Sequence, residues 1–147
     1  MREILFRGQT RRKGECAKTP NSNWVYGGIF IPDDNLNFAI IIARQESAVE
    51  KHSVYGDTVG QYTGLTDKNG SKIFEGDIIK SCEYGDIYAV KYFGDDNYPA
   101  FDCVPEVSNC ECNGLSFLVN VEGCEVIGNI YDNPELLENN ARKDKSI

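Results

Sequence analysis

No apolar run in this 147-residue chain approaches the ~20 residues that a membrane-spanning helix needs; the longest, 38–43, has the length of a buried strand. The opening residues, MREILFRGQTRRKGE, lack the apolar core and small-residue cleavage site of a secretory signal. A cytoplasmic protein that does not engage a membrane is therefore expected. Histidine occurs once, as His52, expected to be exposed in a polar loop, which leaves a nucleophile short of its usual base. A second cysteine knuckle is also missing. Of the six cysteines (Cys16, Cys82, Cys103, Cys110, Cys112 and Cys124), two form a Cys-Glu-Cys and the next lies well downstream. Structural zinc usually takes paired Cys-x2–4-Cys knuckles, whose turns aim two sulfurs inward. Without an export signal a disulfide framework is not expected either. The cysteines thus read as free thiols and small apolar filler, with zinc at 103–124 as the alternative. No metal or other cofactor is expected.

Basic charge is scarce outside the N-terminus. Arg2, Arg7, Arg11, Arg12, Lys13 and Lys18 face only Glu3 and Glu15 within residues 1–18, a balance of +4, which leaves −12 on the rest of a chain of net charge −8. An acidic body repels phosphate backbones, so whole-surface nucleic-acid binding is not expected. Arg11, Arg12 and Lys13 keep a smaller version of it open. The alternative is that they balance acidic charge on the same fold or on a neighbouring subunit.

What is abundant is strand-forming material: eight Tyr and seven Phe lean towards β structure. The expected strands begin at 2–8, 24–31 and 36–44, the last apolar enough to be covered on both faces. Gly27 and Gly28 suggest a bulge or bend. Residues 45–57 are ambiguous, since RQESAVEKHS could form two helical turns but shows no apolar stripe. The stretch QYTGLTDKNGSKIFEGDIIK, 61–80, places Gly64, Gly70 and Gly76 every six residues, as turns between very short strands do. Asn69-Gly70 is the pair that tolerates positive φ in a tight hairpin. A phosphate-cradling loop would have to run into a helix N-terminus, and nothing after Gly70 or Gly76 reads as helical. Further strands are expected at 86–93, 115–121 and 124–130, with Asn113-Gly114 as a second hairpin signal. Asn133-Pro134-Glu135 starts a short helix.

The expected fold is mainly β, with a β-rich α+β arrangement as the alternative. Short antiparallel strands build it, the C-terminal half forms a small SH3-like curled sheet or barrel, and a short helix closes it. The expected organisation is an N-terminal β-rich subdomain with a basic arm at 1–60, a barrel-like subdomain at 61–138 and a flexible tail at 139–147.

Three blocks carry a family resemblance: REILFRG at 2–8, TVGQYTGLTDKNGSKIFEGDII at 58–79 and VIGNIYDNPELL at 126–137. Together they resemble the YopX family of bacteriophages and prophages, the central block being the specific one. The resemblance implies a phage-derived, cytoplasmic protein that forms a homo-oligomer, and it carries over no catalytic residue. The cysteine-rich stretch 103–112 stands outside it.

Three functional classes remain. The first is a non-enzymatic protein-binding or assembly factor acting on host or phage machinery. The second is a nucleic-acid-associated protein that uses the basic arm. The third is a metal-dependent or hydrolytic enzyme built on the cysteines or on the Glu75-Gly76-Asp77 step. The candidate binding residues are Arg11, Arg12 and Lys13, the carboxylates Glu75 and Asp77, and the aromatic pair Tyr88 and Tyr92 around Lys91. Glu75 and Asp77 would project to one side of an extended chain and could bind a cation. They fit equally a turn in which Asp77 bonds backbone amides. The two tyrosines could stack bases or pack at the core and its rim.

Overall fold

A computed structural model describes residues 1–11, 22–33, 37–108 and 110–138. The chain forms two compact units, Met1–Tyr62 and Thr63–Ile147, and is strand-rich throughout. Among the described residues no helix is long and apolar enough to cross a membrane.

Unit 1 is an antiparallel sheet of β1 (Phe6–Gln9), β2 (Trp24–Phe30), β3 (Phe38–Arg44), β4 (Val49–Tyr55) and the start of β5 (Gly60–Thr66), in the order β4-β3-β2-β1-β5. Its core is Val25, Ala39, Ile41, Ala43 and Val54. Side chains alternate across a strand, so β3 sends Ala39, Ile41 and Ala43 inward and Phe38, Ile40 and Ile42 to the other face. That other face is only partly covered: Phe38 is exposed and Ile40 and Ile42 are half-buried. The expectation of a strand covered on both sides is corrected here. The ambiguous 45–57 stretch resolves as strand β4, paired along its whole length with β3 from Phe38↔Tyr55 to Arg44↔Val49. Tertiary pairing overrides its weak local pattern.

Unit 2 holds the end of β5, β6 (Lys72–Phe74), β7 (Asp77–Ser81), β8 (Ile87–Tyr92), β9 (Phe101–Val104) and β10 (Cys124–Asn129). The last four strands form a curled, antiparallel half-barrel sheet in the order β10-β7-β8-β9, with a register shift in β10 between Val126 and Gly128. Ile73, Ile79, Tyr88, Val90, Leu115 and Leu118 form its centre.

Residues 115–121 are not a strand. They form α1 (Gly114–Phe117), which continues as a π-helical turn over Leu118–Glu122. Asn113 is the reason. Its side-chain oxygen accepts the Ser116 N–H at 2.9 Å, so the Asn-Gly pair is a helix cap and not a hairpin. Leu115 and Leu118, three apart, are both buried, whereas Val121 is exposed. The apolar spacing serves a helix face better than a strand face. The helix expected after Asn133 begins at 135–138, although the Asn133 carboxamide turns back to accept the Asn129 N–H at 3.2 Å. The tail at 139–147 lies outside the described residues.

The three glycines of the central block all have positive φ: 90° at Gly64, 80° at Gly70 and 91° at Gly76. At Gly70 an added Cβ would meet nothing within 4 Å, so substitution is penalised by the backbone alone. Gly70→Val is expected to lower stability by about 1–2 kcal/mol, and Gly70→Asn by clearly less, because Asn tolerates the left-handed region. Thermal unfolding of the two variants checks this, and equal melting temperatures would refute it.

Candidate functional site

The residues singled out in the sequence do not converge. Arg11 is exposed and lines a cleft of about 590 Å³ in unit 1 with Asn37, Phe38, Ser53, Val54 and Tyr55. Arg12 and Lys13 lie outside the described residues. Arg7 leaves the basic set, because it is buried with its guanidinium 4.7 Å above the Trp24 ring. The other four belong to unit 2. Asp77 is 2% exposed, and its carboxylate accepts the Phe74 N–H at 2.7 Å across the Glu75-Gly76 turn. Glu75 beside it is half-buried. Tyr88 lies in the core, not on a binding face, and burial pushes its hydroxyl up to about 12. Only Tyr92 of that pair is exposed, and it tilts against Phe101 at 5.2 Å. Lys91 between them is held by Asp96 at 3.4 Å.

The structure instead gathers apolar side chains that sequence reading did not group. Cross-strand partners share a face. Phe30 lies opposite Ile40, Ile40 opposite Ser53, Ile42 opposite Lys51 and Phe38 opposite Tyr55. The outer face of β2, β3 and β4 therefore carries Phe30, Phe38, Ile40, Ile42, Val49 and Tyr55, with Ser53, Lys51 and, opposite Val49, Arg44 as its polar members. Four of these are strongly exposed: Phe30 54%, Phe38 38%, Val49 58% and Tyr55 45%. An antiparallel sheet with one solvated face normally alternates apolar inside and polar outside. A contiguous apolar outer face is the pattern of an interaction surface. The Arg11 cleft opens along the Phe38–Tyr55 edge of this face. Strand β4 ends the sheet, and among the described residues no strand pairs with its outer edge.

The model of the YopX protein family matches residues 18–138. The chain belongs to the YopX family. The central and C-terminal sequence blocks lie within the matched range, and REILFRG lies before it. No curated protein matches the sequence. A solved structure, the crystal structure of protein EF1440 from Enterococcus faecalis, is similar at 22% identity with a TM-score of 0.52, covering 93% of this chain and 99% of that one. The likeness is one of fold.

In this YopX-family chain the cysteines divide by burial. Cys103 and Cys124 are core residues of unit 2. Burial pushes the Cys103 thiol far up, and burial followed by the Asp67 charge pushes Cys124 up to about 11, so both stay neutral fillers. Cys82 is exposed, and Cys110 and Cys112 lie together in a loop. Cys16 lies outside the described residues. No three His, Cys, Asp or Glu side chains converge as metal ligands among the described residues. His52 is not an exposed loop residue. It sits buried on β4, bonded to Glu50 at 2.9 Å.

Asp67 is the organising residue that sequence reading passed over. Its carboxylate accepts the Asn69 and Ser71 N–H groups at 2.9 Å each, and the Val126 N–H, also at 2.9 Å. The signal was present, since Asp heads the Asp-Lys-Asn-Gly turn and Asp side chains bond the backbone two residues on.

Proposed function

We propose that this YopX-family protein is a non-enzymatic assembly component that binds protein through the outer face of β2–β4, with a second copy of the chain as its partner along β4. The supporting observation is the exposed apolar face ending in a strand whose outer edge has no described partner. The β4 sequence suits self-pairing. An antiparallel pair of β4 strands centred on His52 sets Val49 against Tyr55, Glu50 against Val54, Lys51 against Ser53 and His52 against its own copy, so neither Lys51 nor Glu50 faces a like charge and both ends carry an apolar pair. Burying one such aromatic or aliphatic side chain contributes about 1.5–3 kcal/mol. In this reading the protein works in the cytoplasm of a bacterial host, in a phage or prophage setting, without a cofactor. The acidic body disfavours nucleic acid as the main partner.

Changing Val49 and Tyr55 together to Lys is expected to weaken self-association by at least about tenfold, about 1.4 kcal/mol, with the fold retained. Sedimentation equilibrium and native mass spectrometry of parent and variant measure this. A parent that stays monomeric at high concentration, or a variant that assembles equally well, refutes the reading. Micromolar binding to DNA or RNA at low salt, abolished by changing Arg11, Arg12 and Lys13 to Gln, would move the function to the basic arm.

A further inference from the structure

We propose that Cys110 and Cys112 form a thiol–disulfide exchange site that accepts a small, positively charged disulfide. The two sulfurs are 3.1 Å apart on an exposed loop of unit 2. That distance decides between two chemistries open to a cysteine pair. Tetrahedral zinc with Zn–S bonds of about 2.3 Å holds its sulfurs roughly 3.8 Å apart and needs further donors, and no such cluster exists among the described residues. A disulfide closes at about 2.05 Å. The pair is therefore already closer than a zinc ion would hold it, and a small side-chain movement brings it to bonding distance.

The loop is tied to the fold immediately after the pair. The Asn113 carboxamide donates to the Phe101 carbonyl at 2.8 Å and to the Tyr98 hydroxyl at 2.9 Å, while its oxygen caps α1. Cys112 thus stands on an anchored residue. The roles within the pair follow from hydrogen bonding. The Cys112 N–H donates to the Cys110 sulfur at 3.4 Å. The Cys112 thiol is held above its ordinary value chiefly by its hydrogen bond to Cys110. Cys110 lines the neighbouring cleft and receives the Cys112 N–H, so an incoming disulfide reaches it first, and it is assigned as the nucleophile.

The Cys110 thiolate attacks one sulfur of the incoming disulfide, forming a mixed disulfide and expelling one thiolate. The Cys112 sulfur, losing its proton to solvent, then attacks the Cys110 sulfur and expels the second thiolate. The protein dithiol is oxidised to a ring disulfide, and the incoming disulfide is reduced to two thiols. A cystine across one intervening residue closes a very short loop and gains little chain-entropy stabilisation, so it is readily reduced again. The charge preference comes from Glu106 and Glu111, which line a cleft with Cys110 and attract cations while repelling anions.

The test uses the full chain with cystamine, a cationic disulfide, and oxidised glutathione, an anionic one, followed by peptide mass spectrometry after acid quenching. In the parent, cystamine should convert the 110–112 peptide to its internal disulfide. Cys112→Ser should trap a cysteamine adduct on Cys110, at least about tenfold more abundant than in the parent, because the intramolecular resolving step is gone. Cys110→Ser should leave Cys112 slow to react. Oxidised glutathione should react more slowly at low salt, with the gap closing as salt rises. A trapped adduct found mainly on Cys112, a bridge from either residue to Cys82, or a stable adduct in the parent overturns the exchange site. Equal rates for the two disulfides at low salt overturn its preference for a cationic substrate.

Discussion

Replacing Gly27 by alanine is expected to cost on the order of 4 kcal/mol or more and to unfold unit 1 at moderate temperature. Strand β2 changes partners at this point: Gly27 pairs with Phe6 of β1, and Gly28 pairs with Ile42 of β3. A Cβ built on Gly27 would lie 2.0 Å from the Ile42 carbonyl oxygen, 2.6 Å from its carbon and 3.1 Å from the Ala43 nitrogen. All three are backbone atoms of β3, so no rotamer change relieves the clash. The strands must part by roughly an ångström to restore van der Waals separation. That movement breaks their hydrogen bonds and opens the core of Val25, Ile41 and Ala43. Gly28 is the control. Its added Cβ meets nothing within 4 Å, so Gly28→Ala should change stability by less than about 1 kcal/mol. Denaturant unfolding of both variants separates the two positions, and equal midpoints would remove the argument.

The contrast between these neighbours shows what one-dimensional reading could reach. Gly27-Gly28 marked an irregular strand, but only the register reveals which glycine faces a backbone carbonyl. Positions set by local chemistry were legible. Asn69-Gly70 is a turn, Gly64, Gly70 and Gly76 all take positive φ, and the aromatic-rich segments are antiparallel strands. Positions set by distant partners were not. Residues 49–55 show no stripe because the inward face is Glu50, His52 and Val54, of which only Val54 is apolar, and β3 makes them a strand. The 115–121 segment alternates like a strand, yet Asn113 caps it and unit 2 buries Leu115 with Leu118. The outer apolar face was hidden for the same reason. Phe30, Phe38 and Tyr55 are far apart in sequence and become neighbours through pairing alone. The chemistry-bearing residue types drew attention first, but Asp77 and Tyr88 are interior residues, and Arg7 is covered by Trp24.

Asp67→Ala is expected to destabilise unit 2 by about 3 kcal/mol, and Asp67→Asn by about 2. The side chain is buried at 7% exposure. Its Oδ1 accepts two backbone N–H groups of its own turn, from Asn69 and Ser71. Its Oδ2 accepts the N–H of Val126, just before the register shift of β10. The Lys68 N–H donates to the Cys124 carbonyl at 3.0 Å, a second link between the turn and β10. Alanine removes all three acceptor contacts. The two turn N–H groups can then find water, whereas the Val126 N–H loses its acceptor in a half-buried position. Asparagine keeps one oxygen, enough for Asn69 and Ser71, but its NH₂ then confronts the Val126 N–H, donor against donor. A nearly isosteric change should therefore recover only the local part of the loss. Denaturant titration gives the ranking, and amide hydrogen exchange gives the location: Val126 should exchange faster in both variants, whereas Asn69 and Ser71 should do so only in the alanine variant. If Asp67→Asn matched the parent in both measurements, the link to β10 would carry no weight, and Asp67 would be a turn residue alone.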